Sequence, residues 1–300
     1  ARAFFAGGFR EGDVVHNTFS YHFTPAGAMT ESGCHALGCT VFPAGIGQTE
    51  MQVEAIAAIH PTAYTGTPSF LKILLDKGRE VGADVSSLVK AEVGGEALPP
   101  SLRTELMEYG LTVSQLYASA DLGLIAYESP AREGLIVDED LIVEILRPGT
   151  GDPVQPGAVG EVVVTTFSKV YPLIRFGTGD LSAVMEGVSS CGRTNVRLKG
   201  WMGRADQATK VKGMFVQPAQ IAEVLNRHPE IAKARLVVDR QGGKDVMTLN
   251  CETVENGGEL AAKIADTLRA VAKMKGEVRL VAPGSLVNDG KVIDDVRDYD

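Results

Sequence analysis

Positive charge is scarce in this chain. Its 300 residues carry 29 Lys and Arg against 38 Asp and Glu, a net charge of −9 at pH 7. A nucleic-acid partner needs a basic face to meet its phosphates, so none is expected. No stretch approaches the ~20 consecutive apolar residues of a membrane-spanning helix, and no membrane partner is expected either. No basic segment followed by an apolar one opens the sequence, so no secretory leader is expected. The chain starts instead at Ala1 inside a helix-like stretch, 1–8, as though it continued something upstream. Cysteine is sparse: Cys34, Cys39, Cys191 and Cys251, with no CxxC pair. Cys34 and Cys39 flank His35, but a zinc site needs two more ligands at recognisable spacing. Small buried thiols in a reducing, cytoplasmic compartment are the expectation. The common phosphate and hydrolase signatures are missing too: GxxxxGK[ST], GxGxxG after a strand, HExxH and GxSxG.

Apolar residues are not scarce. They make up 44% of the chain, enough to build cores and to exclude bulk disorder, and the length fits about two domains. The first part alternates short apolar strands with amphipathic helices. Strands are expected at 13–17, 40–42, 62–65, 88–93 and 113–117, and helices at 25–37, 49–59, 68–77 and 100–108. Pro68 and Pro100 stand where a helix begins, a position that tolerates proline. Such alternation implies crossover units and an α/β fold with a mainly parallel sheet. The middle is β-rich, with strands at 140–146 and 161–167 around a Pro/Gly turn at 148–153. The last hundred residues read α-β-β-α-β: helix 218–227, strand 234–239, a turn at 241–243, strand 246–252, helix 259–275 and strand 277–281. That order suits a smaller α+β domain with helices on one face. The expected division is 1–203 for the large domain, with a β-rich subdomain at about 135–200, and 204–300 for the small one.

Four stretches can carry chemistry. Gly94-Gly95-Glu96-Ala97 follows a strand, where open α/β sheets bind ligands and glycine lets backbone approach a flat ring. It can equally be a plain strand-to-helix turn. In Tyr117-Ala118-Ser119-Ala120-Asp121 an aromatic precedes small residues and a carboxylate able to hold a hard cation beside phosphates. Alternatively Tyr117 is core and Asp121 a helix cap. Asp180, after the Gly-rich run 177–179, can accept ribose hydroxyls or simply bond its own turn. Lastly, Gly203-Arg204-Ala205-Asp206, the loop through Lys212 and Gly213, and Asn288-Asp289-Gly290-Lys291 place cations on flexible loops. Lys291 can stabilise charge developing on an acyl phosphate, or be an ordinary solvated lysine.

Each stretch is weak alone, but together, in this order and spacing, they resemble the phenylacetate–CoA ligase family of adenylate-forming acyl-CoA synthetases over nearly the whole chain. The resemblance implies an ATP-dependent acid–CoA ligase. A carboxylic acid, aryl or arylacetic, would react with Mg-ATP to give an acyl-adenylate, which CoA would then intercept. It implies nucleotide contacts at Gly95, Glu96, Ala97, Tyr117, Ala118, Ser119, Asp180 and Arg204. Asp121 would serve magnesium, and Lys291 would be the catalytic lysine of adenylation. Tyr21, His22, Phe23 and Gly94 would border the acid pocket, as would the segment 66–70. Asp206 would be a hinge, and Lys212 with Gly213 a CoA-side loop. A homodimer is compatible with the family.

The sequence also departs from the family. Ala118 and Ala120 stand where it has a glycine and a hydroxyl residue, and Asp121 where it has a glutamate. The family's Ser/Thr/Gly-rich phosphate loop is expected upstream of Ala1. These departures keep two alternatives open: a non-catalytic nucleotide- or acyl-adenylate-binding homologue, and an adenylating enzyme that loads a carrier protein.

Overall fold

The computed structural model describes residues 1–205, 209–211, 214–241, 244–255, 257–287 and 289–297. In chain order the first elements are α1 (Arg2–Ala6), β1 (Val14–Asn17), α2 (Ala26–His35), β2 (Thr40–Pro43), α3 (Thr49–Ile59), β3 (Ala63–Gly66), α4 (Pro68–Val81), β4 (Lys90–Val93), α5 (Pro100–Glu108), β5 (Thr112–Ser119), β6 (Gly123–Glu128) and β7 (Leu135–Val137). There follow β8 (Leu141–Leu146), β9 (Gly160–Thr166), β10 (Phe176–Ser182), β11 (Val184–Met185), β12 (Arg197–Leu198), β13 (Thr209–Val211), β14 (Met214–Val216), α6 (Pro218–Arg227), β15 (Lys233–Gln241), β16 (Lys244–Glu252), α7 (Gly258–Ala272), β17 (Glu277–Val281) and β18 (Ile293–Asp295).

Contacts divide the chain into two compact units. The first comprises Ala1–Ile142, Thr166–Leu173 and Met185–Gly200, and holds a nine-stranded sheet in the order β11-β12-β7-β6-β5-β4-β3-β1-β2. The run β2-β1-β3-β4-β5 is parallel throughout. From β5 onward the pairing turns antiparallel, through β6 and β7 to β12. The α/β class with a large, mainly parallel sheet is therefore as the sequence implies. Helix α4 shows how the local sequence achieves this. The Thr67 hydroxyl caps the Phe70 amide, Pro68 opens the helix, and Gly82 ends it in the left-handed conformation. Its buried stripe of Leu71, Leu74 and Leu75 packs with Val53 and Ile56 of α3 on Tyr64, Ala91 and Val113 of the sheet. Each leucine so buried contributes about 1.5–3 kcal/mol.

The antiparallel turn at β5–β6 corrects one sequence expectation. No helix follows Asp121, so it caps none. The chain reverses at Ala120–Leu122, where the Ser119 hydroxyl accepts the Leu122 amide at 3.1 Å.

The second unit comprises Val143–Thr165, Ile174–Val184 and Trp201–Asp300. It contains the three-stranded sheet β10-β9-β8, the pair β13-β14 and the four-stranded sheet β17-β16-β15-β18. Strands β15 and β16 form a long antiparallel hairpin, flanked by the parallel strands β17 and β18. Helices α6 and α7 close its core, with Ile221, Val224, Ile264 and Leu268 against Leu236 and Leu249. Gln217 and Gln220 form a reciprocal cap at the start of α6. The expected α-β-β-α-β order is present, with β18 added.

Cys34, Cys39 and Cys251 are buried and Cys191 is exposed. Burial pushes the Cys34 and Cys251 thiols up to about 12, which keeps them neutral and inert. Among the described residues, no helix is long and apolar enough to cross a membrane.

Candidate active site

In the first unit, the loops that matter leave the same end of the sheet. Because β1, β3, β4 and β5 are parallel, the segments after Asn17, Gly66, Val93 and Ser119 all emerge at its carboxyl edge, the usual ligand side of such sheets. The Thr18 amide donates to Thr65 O at 2.8 Å and the Gly94 amide to Gly66 O at 3.1 Å, which ties three of these exits together. Gly94 is buried against β5. A Cβ there would lie 2.6 Å from Leu116 Cδ1 and 3.1 Å from Leu116 O, so a larger residue would have to displace the cavity-lining Leu116. Gly95 turns outward with φ +76°, facing Phe19 and Thr67.

Beside this edge lies a cavity of about 680 Å³, within the range of small-molecule sites. Phe19, Met29, Gly95, Leu116, Ala118 and Leu124 are among its lining residues, together with Ser119 and Ala120. Three expected nucleotide contacts, Gly95, Ala118 and Ser119, therefore share one wall. Glu96 and Ala97 stand exposed on the turn after Gly95, outside the lining. Tyr117 is half-buried in β5, between the cavity-lining Leu116 and Ala118, beside an irregularity in pairing with β6. The expected acid-pocket residues Tyr21, His22 and Phe23 are exposed on the loop after β1, where Asn17 Nδ2 donates to the Tyr21 hydroxyl at 2.8 Å. Phe19 occupies the cavity wall instead. Asp121 is exposed at the β5–β6 turn next to Ala120. Among the described residues, no cluster of three His, Cys, Asp or Glu forms a metal site. Magnesium bound with a nucleotide needs one or two carboxylates and takes its other ligands from phosphates and water, so the solvent-facing Asp121 fits that demand.

In the second unit, Asp180 and Arg204 meet. Residues 201–205 run beside β10: the Leu181 amide donates to Gly203 O at 2.9 Å and the Ala205 amide to Gly179 O at 2.7 Å. Asp180 Oδ1 accepts from Arg204 Nη1 at 3.1 Å and from Trp201 Nε1 at 3.0 Å. Gly179 takes φ +71°, a conformation that favours glycine, and its Cα faces the Arg204 guanidinium. Sequence reasoning passed over Trp201, the chain's one tryptophan, whose place two residues before Gly203-Arg204 was the available signal. Lys291 follows Gly290 in the turn before β18 and donates from Nζ to Asp294 Oδ1 at 2.9 Å. Asp206, Lys212 and Gly213 lie outside the described residues.

Residues 2–168 match the family model described as AMP-binding enzyme, and residues 213–299 match that described as AMP-binding enzyme C-terminal domain. The chain belongs to the AMP-binding enzyme family. Over 85% of its length it is 33% identical to the phenylacetate-coenzyme A ligase of Thermus thermophilus, covering 59% of that protein. Over 97% it is 28% identical to the enzyme of the same name from Escherichia coli, covering 69%. In fold it resembles a 2-hydroxyisobutyryl-CoA ligase solved with 2-HIB-AMP and CoA. The TM-score is 0.65 at 24% identity, over 99% of this chain and 68% of that one. The chain thus spans about three fifths of the first curated relatives it matches.

Proposed function

We propose that the protein is an ATP-dependent acid–CoA ligase that activates an aryl or arylacetic acid as its adenylate. The observation that carries this reading is the cavity at the carboxyl edge of the parallel sheet, walled by Gly95, Ala118 and Ser119. Likeness to proteins named phenylacetate-coenzyme A ligase supports the choice of acid and acceptor. The acid's carboxylate oxygen attacks the α-phosphorus of ATP, and pyrophosphate leaves. The CoA thiolate then attacks the acyl carbonyl, and AMP leaves. Since CoA brings the nucleophile, no enzyme serine or cysteine is required. Magnesium, when bound at Asp121, would supply positive charge opposite the phosphates. Lys291 supplies a second positive charge to the oxygens around the α-phosphorus. Asp180 accepts hydroxyls of the ribose, with Arg204 and Trp201 fixing its carboxylate. On the family resemblance, Asp206 would serve as a hinge between the two steps, and Lys212 with Gly213 would serve the CoA side.

The test is AMP release by the protein made from its complete gene, with Mg-ATP and a panel of aryl, arylacetic and short aliphatic acids, with and without CoA. AMP formation that needs one aryl-type acid and CoA together supports the proposal. AMP only with an aliphatic acid overturns the acid assignment. Nucleotide binding without AMP from any acid favours the non-catalytic reading, which Ala118 and Ala120 at the cavity wall make specific.

A further inference from the structure

Arg235 is the third residue of β15, with 9% of its side chain exposed, and it holds both carboxylates that bracket Lys291. Its Nη1 and Nη2 donate to Asp289 Oδ1 and Oδ2 at 2.8 and 3.0 Å, and Nη2 also donates to Asp294 Oδ2 at 2.6 Å. The remaining oxygen of Asp294 takes the Lys291 ammonium, and Asp289 Oδ1 accepts the Lys291 backbone amide at 3.1 Å. One guanidinium therefore clasps the turn on either side of the lysine. On the opposite side, Gly290 at φ +74° lies close to the Val159 and Leu181 side chains. Strand β18 then pairs Ile293 with Leu236, the residue after Arg235. The Lys291 backbone is anchored by Asp289 and by the pairing of β18 that follows it, while its side chain stays half-exposed.

We propose that Arg235 is a positioning residue for Lys291 in adenylate formation, acting through Asp289 and Asp294. This rests on the ligase reading given above. A planar guanidinium can span two carboxylates at a fixed angle, whereas an ammonium is a point charge that cannot hold both in one geometry. Sharing Asp294 with Arg235 leaves Lys291 bonded through a single carboxylate oxygen. Its ammonium can swing to a phosphate while its Cα stays in place.

The test compares wild type, Arg235→Lys, Lys291→Ala and the double variant, made from the complete gene, in two assays. One is acid-dependent ATP–pyrophosphate exchange, and the other is CoA transfer from supplied acyl-adenylate. Arg235→Lys should lose about ten- to a hundredfold in kcat for exchange, the scale of a misplaced catalytic group. Its KM values for ATP and acid, and its rate of CoA transfer, should stay within about twofold of wild type. In the Lys291→Ala background, Arg235→Lys should cost nothing further, because the two act as one unit. Equal losses in both assays with additive effects, or no loss in exchange, would overturn the proposal. Should Arg235→Lys lose its cooperative unfolding transition, Asp289→Asn carries the same test with the same expected split. If wild type supports no exchange, or Lys291→Ala exchanges at the wild-type rate, the ligase reading fails and this proposal with it.

Discussion

Glu92 is the residue whose chemistry the proposed reaction leaves unused. It lies in β4, fully buried, opposite Thr65 of β3 and Ser114 of β5. Among the described residues, neither carboxylate oxygen has a hydrogen-bond partner, and the Thr65 hydroxyl is equally orphaned. Burial, aided by the nearby Glu128 carboxylate, raises its proton affinity well above the ordinary value near 4.5. The folded protein keeps this proton where the unfolded chain releases it. Stability should therefore fall as pH rises above about 4.5, by up to about 1.4 kcal/mol per pH unit, until the folded group itself ionises. Glu92→Gln should remove that slope, as read from urea unfolding of both proteins between pH 5 and 8; parallel curves would refute the assignment. Asp180 makes a second prediction at this scale. Asp180→Asn keeps an acceptor for Trp201 and Arg204 but loses the charge offered to ribose, so the KM for ATP should rise about tenfold, with that for the acid unchanged. A rise in the acid KM alone would place Asp180 elsewhere. Arg235 was illegible at this scale. A charged residue in a strand reads as surface, and its partners lie 54 and 59 residues away.

Helices with both a start signal and an apolar stripe were legible nearly to the residue. Helices α3, α5 and α6 span the expected stretches, and β17 does as well. Helix α4 runs four residues beyond expectation because its stop is Gly82, not the polar stretch before it. Leu74→Ala in that helix should destabilise the first unit by about 2–5 kcal/mol, the cost of a cavity in a closed core, measured as a lower urea midpoint. A change below 0.5 kcal/mol, the level of an exposed site, would contradict the packing described. Strands without an apolar alternation of their own were not legible. Strand β10 reads Phe-Gly-Thr-Gly-Asp-Leu-Ser, a turn-like composition, and owes its extended form to pairing with β9 across a register irregularity. Strands β11 to β14 have two or three residues each, too few for a period to show. Strand β6 is hidden because Asp121 reads equally as a helix cap, whereas Gly123 at φ +73° turns the chain back.

At the scale of the whole molecule, Gly95, Ala118 and Ser119, which the family resemblance offered as nucleotide contacts, line one cavity because the carboxyl ends of adjacent parallel strands converge by topology. Phe19 could not be read from the sequence, since it lies two residues past β1 on a loop whose course no periodicity describes. The net charge of −9 adds a further constraint. Under the proposed function, anionic ATP and CoA would meet an acidic chain, so local cations such as Arg204 and Lys291 would have to carry their recognition.

The central claim is that an acid oxygen becomes bonded to the α-phosphorus of ATP. The most direct measurement supplies the accepted acid with 18O in both carboxyl oxygens, together with Mg-ATP and CoA, and takes the mass of the AMP released. Formation and thiolysis of an acyl-adenylate leave one 18O atom in AMP and one in the thioester. Unlabelled AMP, with the displaced 18O found in pyrophosphate or water, or with both labels still in unreacted acid, would contradict the account.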